Sequence, residues 1–107
     1  MDLNLRGRTA FITGASAGIG AGVARVLARE GVRVAIAARR ADALEALAVQ
    51  IADAGAEKPV VVTGDVTDAL AVSRMVNEVF AALGPIDILV NSAGGARPTR
   101  LDAPDED

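Results

Sequence analysis

The chain has 107 residues, of which 51% are apolar and 23% charged, with a net charge of −3 and no cysteine or histidine. That length allows one domain with a real core; the composition argues against a disulfide framework, the usual metal ligands and a nucleic-acid partner, which needs a basic face. No apolar run approaches the ~20 residues that cross a bilayer, and the polar start Met1-Asp-Leu-Asn-Leu-Arg6 carries no secretory signal, so a cytoplasmic protein with no membrane partner is expected.

Short β-rich runs alternate with longer segments of helical period. Thr9–Thr13 reads as a first strand. A helix follows from about Gly18, with Ile19, Val23, Val26 and Leu27 on its core face and Gly31 as its stop. Val32–Ala38 is a second strand, and Ala41–Ala54 a helix that buries Leu44, Leu47, Ala48 and Ile51 and closes at Gly55. Pro59–Thr63 is a third strand. Asp68–Leu83 is a third helix, burying Met75, Val76, Val79 and Phe80 and ending at Gly84-Pro85. Ile86–Val90 is the fourth strand. The tail, residues 96–107, shows no apolar period and is expected to be loose; residues 1–95 form the folded unit.

Each helix is long enough to return the chain across a sheet, so successive strands run parallel through right-handed crossovers. This β-α-β-α-β-α-β order is the first half of a doubly wound α/β sheet, with strand order 3-2-1-4. Parallel strands bring their C-terminal ends to one edge, where such sheets bind ligands. The glycine loop, Arg39-Arg40, Asp65-Val66 and Asn91-Ser-Ala-Gly94 therefore become neighbours there.

The loop has the spacing Gly14-x-x-x-Gly18-x-Gly20, neither the G-x-G-x-x-G form nor a Walker A loop. Its physical logic is still that of a phosphate cradle. Gly14 allows a tight turn, Gly18 a close approach to a pyrophosphate, and Gly20 a helix packed close to the sheet. The helix N-terminus offers N–H groups and partial positive charge, and Ser16 a hydroxyl. A glycine-rich turn that binds nothing is the plainer alternative. Gly22, inside the helix, fits neither reading, since glycine there costs ~1 kcal/mol relative to alanine.

Thr13-Gly-Ala-Ser-Ala-Gly-Ile-Gly20 resembles the T-G-x-x-x-G-I-G cofactor motif of the short-chain dehydrogenase/reductases. Asp65-Val66 is similar to that family's adenine-contacting pair after the third strand. Asn91-Ser-Ala-Gly94 is similar to its N-N-A-G turn, with Ser92 in place of the second Asn, and Gly84-x-x-Asp87-x-Leu89-Val90-Asn91 to the approach to that turn. The resemblance runs from about Leu5 to Gly95. It implies a Rossmann-type fold, a dinucleotide partner, and cofactor contacts from Gly14, Ser16, Gly18, Ile19, Gly20, Arg39, Asp65, Val66, Asn91, Ala93 and Gly94.

The choice of nucleotide falls at the end of the second strand, where NAD sites carry an acid. Here Ala38 is followed by Arg39 and Arg40, with no carboxylate before Asp42. A small residue and a planar guanidinium suit a 2′-phosphate, so NADP (as NADPH) is expected ahead of NAD. A solvated basic pair opening the next helix is the alternative. Asp65 is expected to accept from the adenine amino group, although an Asp there also makes ordinary turns. Asn91 is expected to tie the loop after the fourth strand to Thr13.

The family's reaction needs a tyrosine acid with a lysine four residues on and a serine. This chain has no tyrosine, its one lysine is Lys58, and none of Ser16, Ser73 and Ser92 matches the catalytic serine. The resemblance thus implies the N-terminal cofactor half of an NADP(H)-dependent carbonyl/alcohol oxidoreductase, truncated at Asp107 and without turnover by itself. The parent enzyme is expected to be a homo-oligomer, and the open edge of the fourth strand to favour self-association. A non-catalytic nucleotide-binding or interaction module complete at Asp107 is the other reading.

Overall fold

The computed structural model describes residues 4–92. Four strands, β1 (Thr9–Thr13), β2 (Arg33–Ala38), β3 (Val60–Thr63) and β4 (Ile88–Asn91), form one parallel sheet in the order β3-β2-β1-β4. Three helices, α1 (Gly18–Arg29), α2 (Ala41–Asp53) and α3 (Ala69–Leu83), make the crossovers. The expected topology is the observed one.

Strand side chains alternate between two cores. Ala10, Ile12, Val34 and Ile36 face α1 and α2, whereas Phe11, Ala35, Ala37 and Val62 face Met75, Val79 and Leu83 of α3. Complete burial of Ile12, Ile36, Leu44, Met75, Val62 and Val79 contributes roughly 1.5–3 kcal/mol each. The α2 face is the expected Leu44, Leu47, Ala48 and Ile51.

Two helix faces differ from expectation. The buried face of α1 is Gly20, Ala21, Ala24 and Ala28, while Val23 and Leu27 flank it half-buried and Ile19 and Val26 are exposed. The 3.6-residue period is right but the phase is rotated, because this helix lies so close to the sheet that only small side chains fit beneath it. In α3, Met75 and Val79 are buried as expected, but Val76 and Phe80 face outward, Phe80 at 58% exposure. That helix is apolar on two sides, and the sheet covers one. Strand boundaries shift slightly as well. Val32 donates its N–H to the Leu27 carbonyl and closes α1 instead of opening β2. β4 begins at Ile88, after Asp87 has bonded to Thr9.

Asp87 joins the start of β1 to the approach to β4. Its Oδ2 accepts from the Thr9 N–H at 2.9 Å, and its own N–H donates to the Thr9 carbonyl at 3.1 Å. The Thr9 N–H, then the Thr9 hydroxyl and Arg8, hold this carboxyl below the ordinary value of 3.8, against some opposing burial. A depressed folded-state value means stability that is full above the ordinary carboxylate range and lost as pH falls below about 4. In denaturation followed against pH, Asp87→Asn is expected to lower stability at pH 7 and flatten the acid limb. Parallel wild-type and variant profiles would contradict this.

Candidate cofactor site

The loop between β1 and α1 is shaped by its glycines. Gly14 and Gly18 have φ of 70° and 63°, the left-handed region that side chains disfavour. Gly20 is buried, and a Cβ there would lie 2.6 Å from the Gly14 carbonyl oxygen and 2.4 Å from Ser92 Oγ. Its absence lets the first turn of α1 rest on the loop itself. Beneath it, Ala15 donates its N–H to the Ala37 carbonyl at 3.1 Å, stitching the loop to β2.

The N-terminus of α1 is open. Ala17 stands at its N-cap with no side-chain hydrogen bond, and the first turn carries no acid. By contrast, α3 is capped by Asp68, whose Oδ1 accepts from the Leu70 and Ala71 N–H groups at 3.0 and 3.4 Å. The α1 N–H groups therefore keep their capacity to bind an anion, with the helix dipole behind them. Ser16 is exposed in the loop, and Ile19 stands in the first turn at 79% exposure. Expected both on the core face and against the cofactor, Ile19 lies outside the core.

The other expected residues gather at the same edge. Arg39 follows β2, and its Nη2 donates to Asp65 Oδ1, after β3, at 3.3 Å. Asp65 Oδ1 also accepts from the Thr67 N–H at 2.9 Å and the Thr67 hydroxyl at 2.7 Å. The Thr67 hydroxyl, then its N–H, and Arg39 more weakly, hold this carboxyl below its ordinary range. Thr67→Val should therefore raise the Asp65 pKa, read from its carboxyl carbon in an NMR titration; an unmoved titration would contradict the clamp. Val66 follows, half-buried against the α3 side. Arg40 pairs with Asp42 at 3.2 Å and does not join this cluster.

After β4, Asn91 Oδ1 accepts from the Thr13 hydroxyl at 3.0 Å, the tie expected between the two loops. Ser92 does more than its sequence position suggested. Its N–H donates to the Thr13 carbonyl at 3.1 Å, and its hydroxyl lies 2.7 Å from that oxygen and 3.1 Å from the Gly14 carbonyl. It braces the glycine turn from below. Ala93 and Gly94 lie outside the described residues. Gly64, which no motif singled out, leaves room after β3 for Met75 and for Arg74, whose guanidinium donates to the Thr63 carbonyl at 2.7 Å. Lys58 pairs with Glu45 at the opposite edge.

The short chain dehydrogenase family model matches residues 8–107. The chain belongs to that family. It is 51% identical over 90 residues to glycine betaine reductase ATRR of Emericella nidulans, covering 84% of this chain and 7% of that protein. It is 45% identical over 97 residues to D-threitol dehydrogenase of Mycolicibacterium smegmatis, covering 90% of this chain and 36% of the relative. Among solved structures, L-sorbose reductase from Gluconobacter frateurii, complexed with NADPH and L-sorbose, superposes with a TM-score of 0.84 at 32% identity, covering 99% of this chain and 40% of that one. The chain thus spans about a third or less of these curated relatives. The glycine loop, Arg39, Asp65 and Asn91 stand at the C-terminal edge of the sheet, and no described helix is long and apolar enough to cross a membrane.

Proposed function

We propose that the chain is the cofactor-binding portion of an oxidoreductase that moves hydride between NADP(H) and a carbonyl or alcohol substrate. The observation that carries this reading is Arg39, standing after β2 where Ala38 supplies no carboxylate and facing the same sheet edge as the uncapped N-terminus of α1. The donor set fits a dinucleotide with a third phosphate. The N–H groups of the first turn of α1 receive the pyrophosphate, with Gly14 and Gly18 keeping side chains out of its way and Ser16 adding a hydroxyl. Arg39 takes the 2′-phosphate. Its guanidinium has five N–H donors, and the bond to Asp65 occupies one while holding the group at the edge.

Asp65 Oδ1 is filled by Thr67 and Arg39, so Oδ2 is the acceptor offered to the adenine amino group, with Val66 beside the ring. Ile19 shields the cofactor from solvent, and Asn91, Ala93 and Gly94 border its riboses. When bound, the nicotinamide supplies the hydride. The proton must come from elsewhere, and these 107 residues hold no tyrosine or histidine to give it, while Asp65 is held ionised. The outer edge of β4 is a ready site for strand pairing between copies of the chain.

The test is a fluorescence titration of the 107-residue chain with NADPH, run beside turnover of a ketone panel. Saturable NADPH binding without steady-state reduction is expected. Absence of binding would overturn the cofactor assignment, and measurable turnover would overturn the claim that the proton donor is missing.

A further inference from the structure

Far from the ligand edge, where the strands begin, a cleft of about 530 Å³ opens between the C-terminal ends of α1 and α2. Its lining includes Arg6, Arg25 and Arg29. Among the described residues, Arg8, Arg33, Arg39, Arg40, Lys58 and Arg74 each have a carboxylate within 4.0 Å. The three cationic side chains without one are those three arginines, and all three line this cleft. In a chain of net charge −3 this gathers three cations without an ion-pair partner in one place. The single acidic residue of the lining, Glu57, is engaged by Arg33 at 3.5 Å.

All three arginines are exposed, and one is tied across the cleft. Arg25 Nη2 donates to Gln50 Oε1 on α2 at 2.8 Å, which fixes it across the two helices. Arg29 stands one turn further along α1, on the same side as Arg25. Arg6 lies over Gly31, where a Cβ would come within 3.1 Å of both its Cγ and Nη1, so that glycine makes its seat. Ile51, Ala28 and Val32 supply an apolar floor.

We propose that this cleft binds a small molecule carrying two or three oxyanion groups, a polycarboxylate or multiply phosphorylated metabolite, at a site separate from the dinucleotide edge. The volume suits a metabolite-sized ligand. Guanidinium forks match carboxylate and phosphate oxygens, and three of them favour a multivalent anion over a single charge. The carbonyl ends of α1 and α2 point the same way and work against any anion, so a monovalent one does not hold. An extended nucleic acid would meet the acidic remainder of the chain.

The test uses the chain with citrate as probe and acetate at matched ionic strength as control, read by thermal midpoint and by amide chemical shifts. Citrate is expected to raise the midpoint saturably, with shifts centred on Gly31 and Gly55. Arg25→Gln and Arg29→Gln should each weaken citrate roughly tenfold, and Arg39→Gln should leave it unchanged. An equal rise with acetate, retention of the effect in both cleft variants, or shifts confined to Gly14–Gly20 would overturn the proposal, and the wild-type shifts alone decide it should either variant fold poorly.

Discussion

Gly20→Ala is expected to destabilise the chain by roughly 2–3 kcal/mol and to abolish NADPH binding, whereas Gly22→Ala, two residues further along the same helix, stabilises it by roughly 0.5–1 kcal/mol. The two sites differ in what a methyl group meets. At Gly20 it would sit 2.4 Å from Ser92 Oγ and 2.6 Å from the Gly14 carbonyl, and only the serine can rotate away. The backbone oxygen cannot, so α1 must lift from the loop whose glycines it organises. At Gly22 a Cβ meets nothing within 4 Å, and only helix propensity remains. The serine contact can be separated from the backbone one. Ser92→Ala combined with Gly20→Ala should recover little of the loss, because the clash with Gly14 persists. Urea denaturation of the three variants, beside NADPH titration, measures both effects. A Gly20→Ala chain with wild-type stability and affinity would show that the close approach of helix to loop is not needed.

Arg39→Asp is expected to shift the ratio of NADPH to NADH affinity by about a hundredfold toward NADH. Most of that comes from lost charge-assisted hydrogen bonds to the 2′-phosphate, each worth about 1.5–3 kcal/mol, with carboxylate–phosphate repulsion added. A smaller gain for NADH comes from the new carboxylate accepting from a ribose hydroxyl. The substitution also removes the partner of Asp65, yet Thr67 still holds that side chain through two hydrogen bonds, so the turn survives. Paired titrations with the two reduced nucleotides measure the ratio. If it stayed unchanged, the guanidinium would be a solvated surface group and the reading of the β2 end would fail.

Much of this molecule was legible from residue order. Alternation of apolar runs with helical period placed four strands and three helices within a residue or two, and their β-α-β-α-β-α-β succession pointed to a doubly wound sheet of order β3-β2-β1-β4. Parallel connections also gather the glycine loop and the residues after each strand at one edge. Two kinds of fact were hidden. One is helix phase: the rule that large apolar residues turn inward fails for α1, where Gly20, Ala21, Ala24 and Ala28 form the inner face and Ile19 is exposed. Gly22 has no structural explanation, since a Cβ there would meet nothing within 4 Å. The other is polar pairing across long sequence separations. Asp87 with Thr9, Ser92 with Thr13 and Gly14, and Arg39 with Asp65 depend on register, which no local pattern encodes. Ser92 looked like a mild departure from a motif, and its hydroxyl proves to brace the turn that the motif serves. The arginine cleft was equally hidden, since Arg6, Arg25 and Arg29 are unremarkable until Arg33, Arg8 and Lys58 are seen to be paired.

The central claim is that the edge formed by the glycine loop, Arg39 and Asp65 holds the dinucleotide. It is tested most directly by amide chemical shifts of the chain titrated with NADPH. Saturable shifts are expected at Gly14, Gly18, Ile19 and Gly20 and at Arg39, Asp65 and Val66, with Leu70 and Ala71 at the capped start of α3 unmoved. Shifts absent from the α1 N-terminus, or centred on another part of the chain, would contradict it.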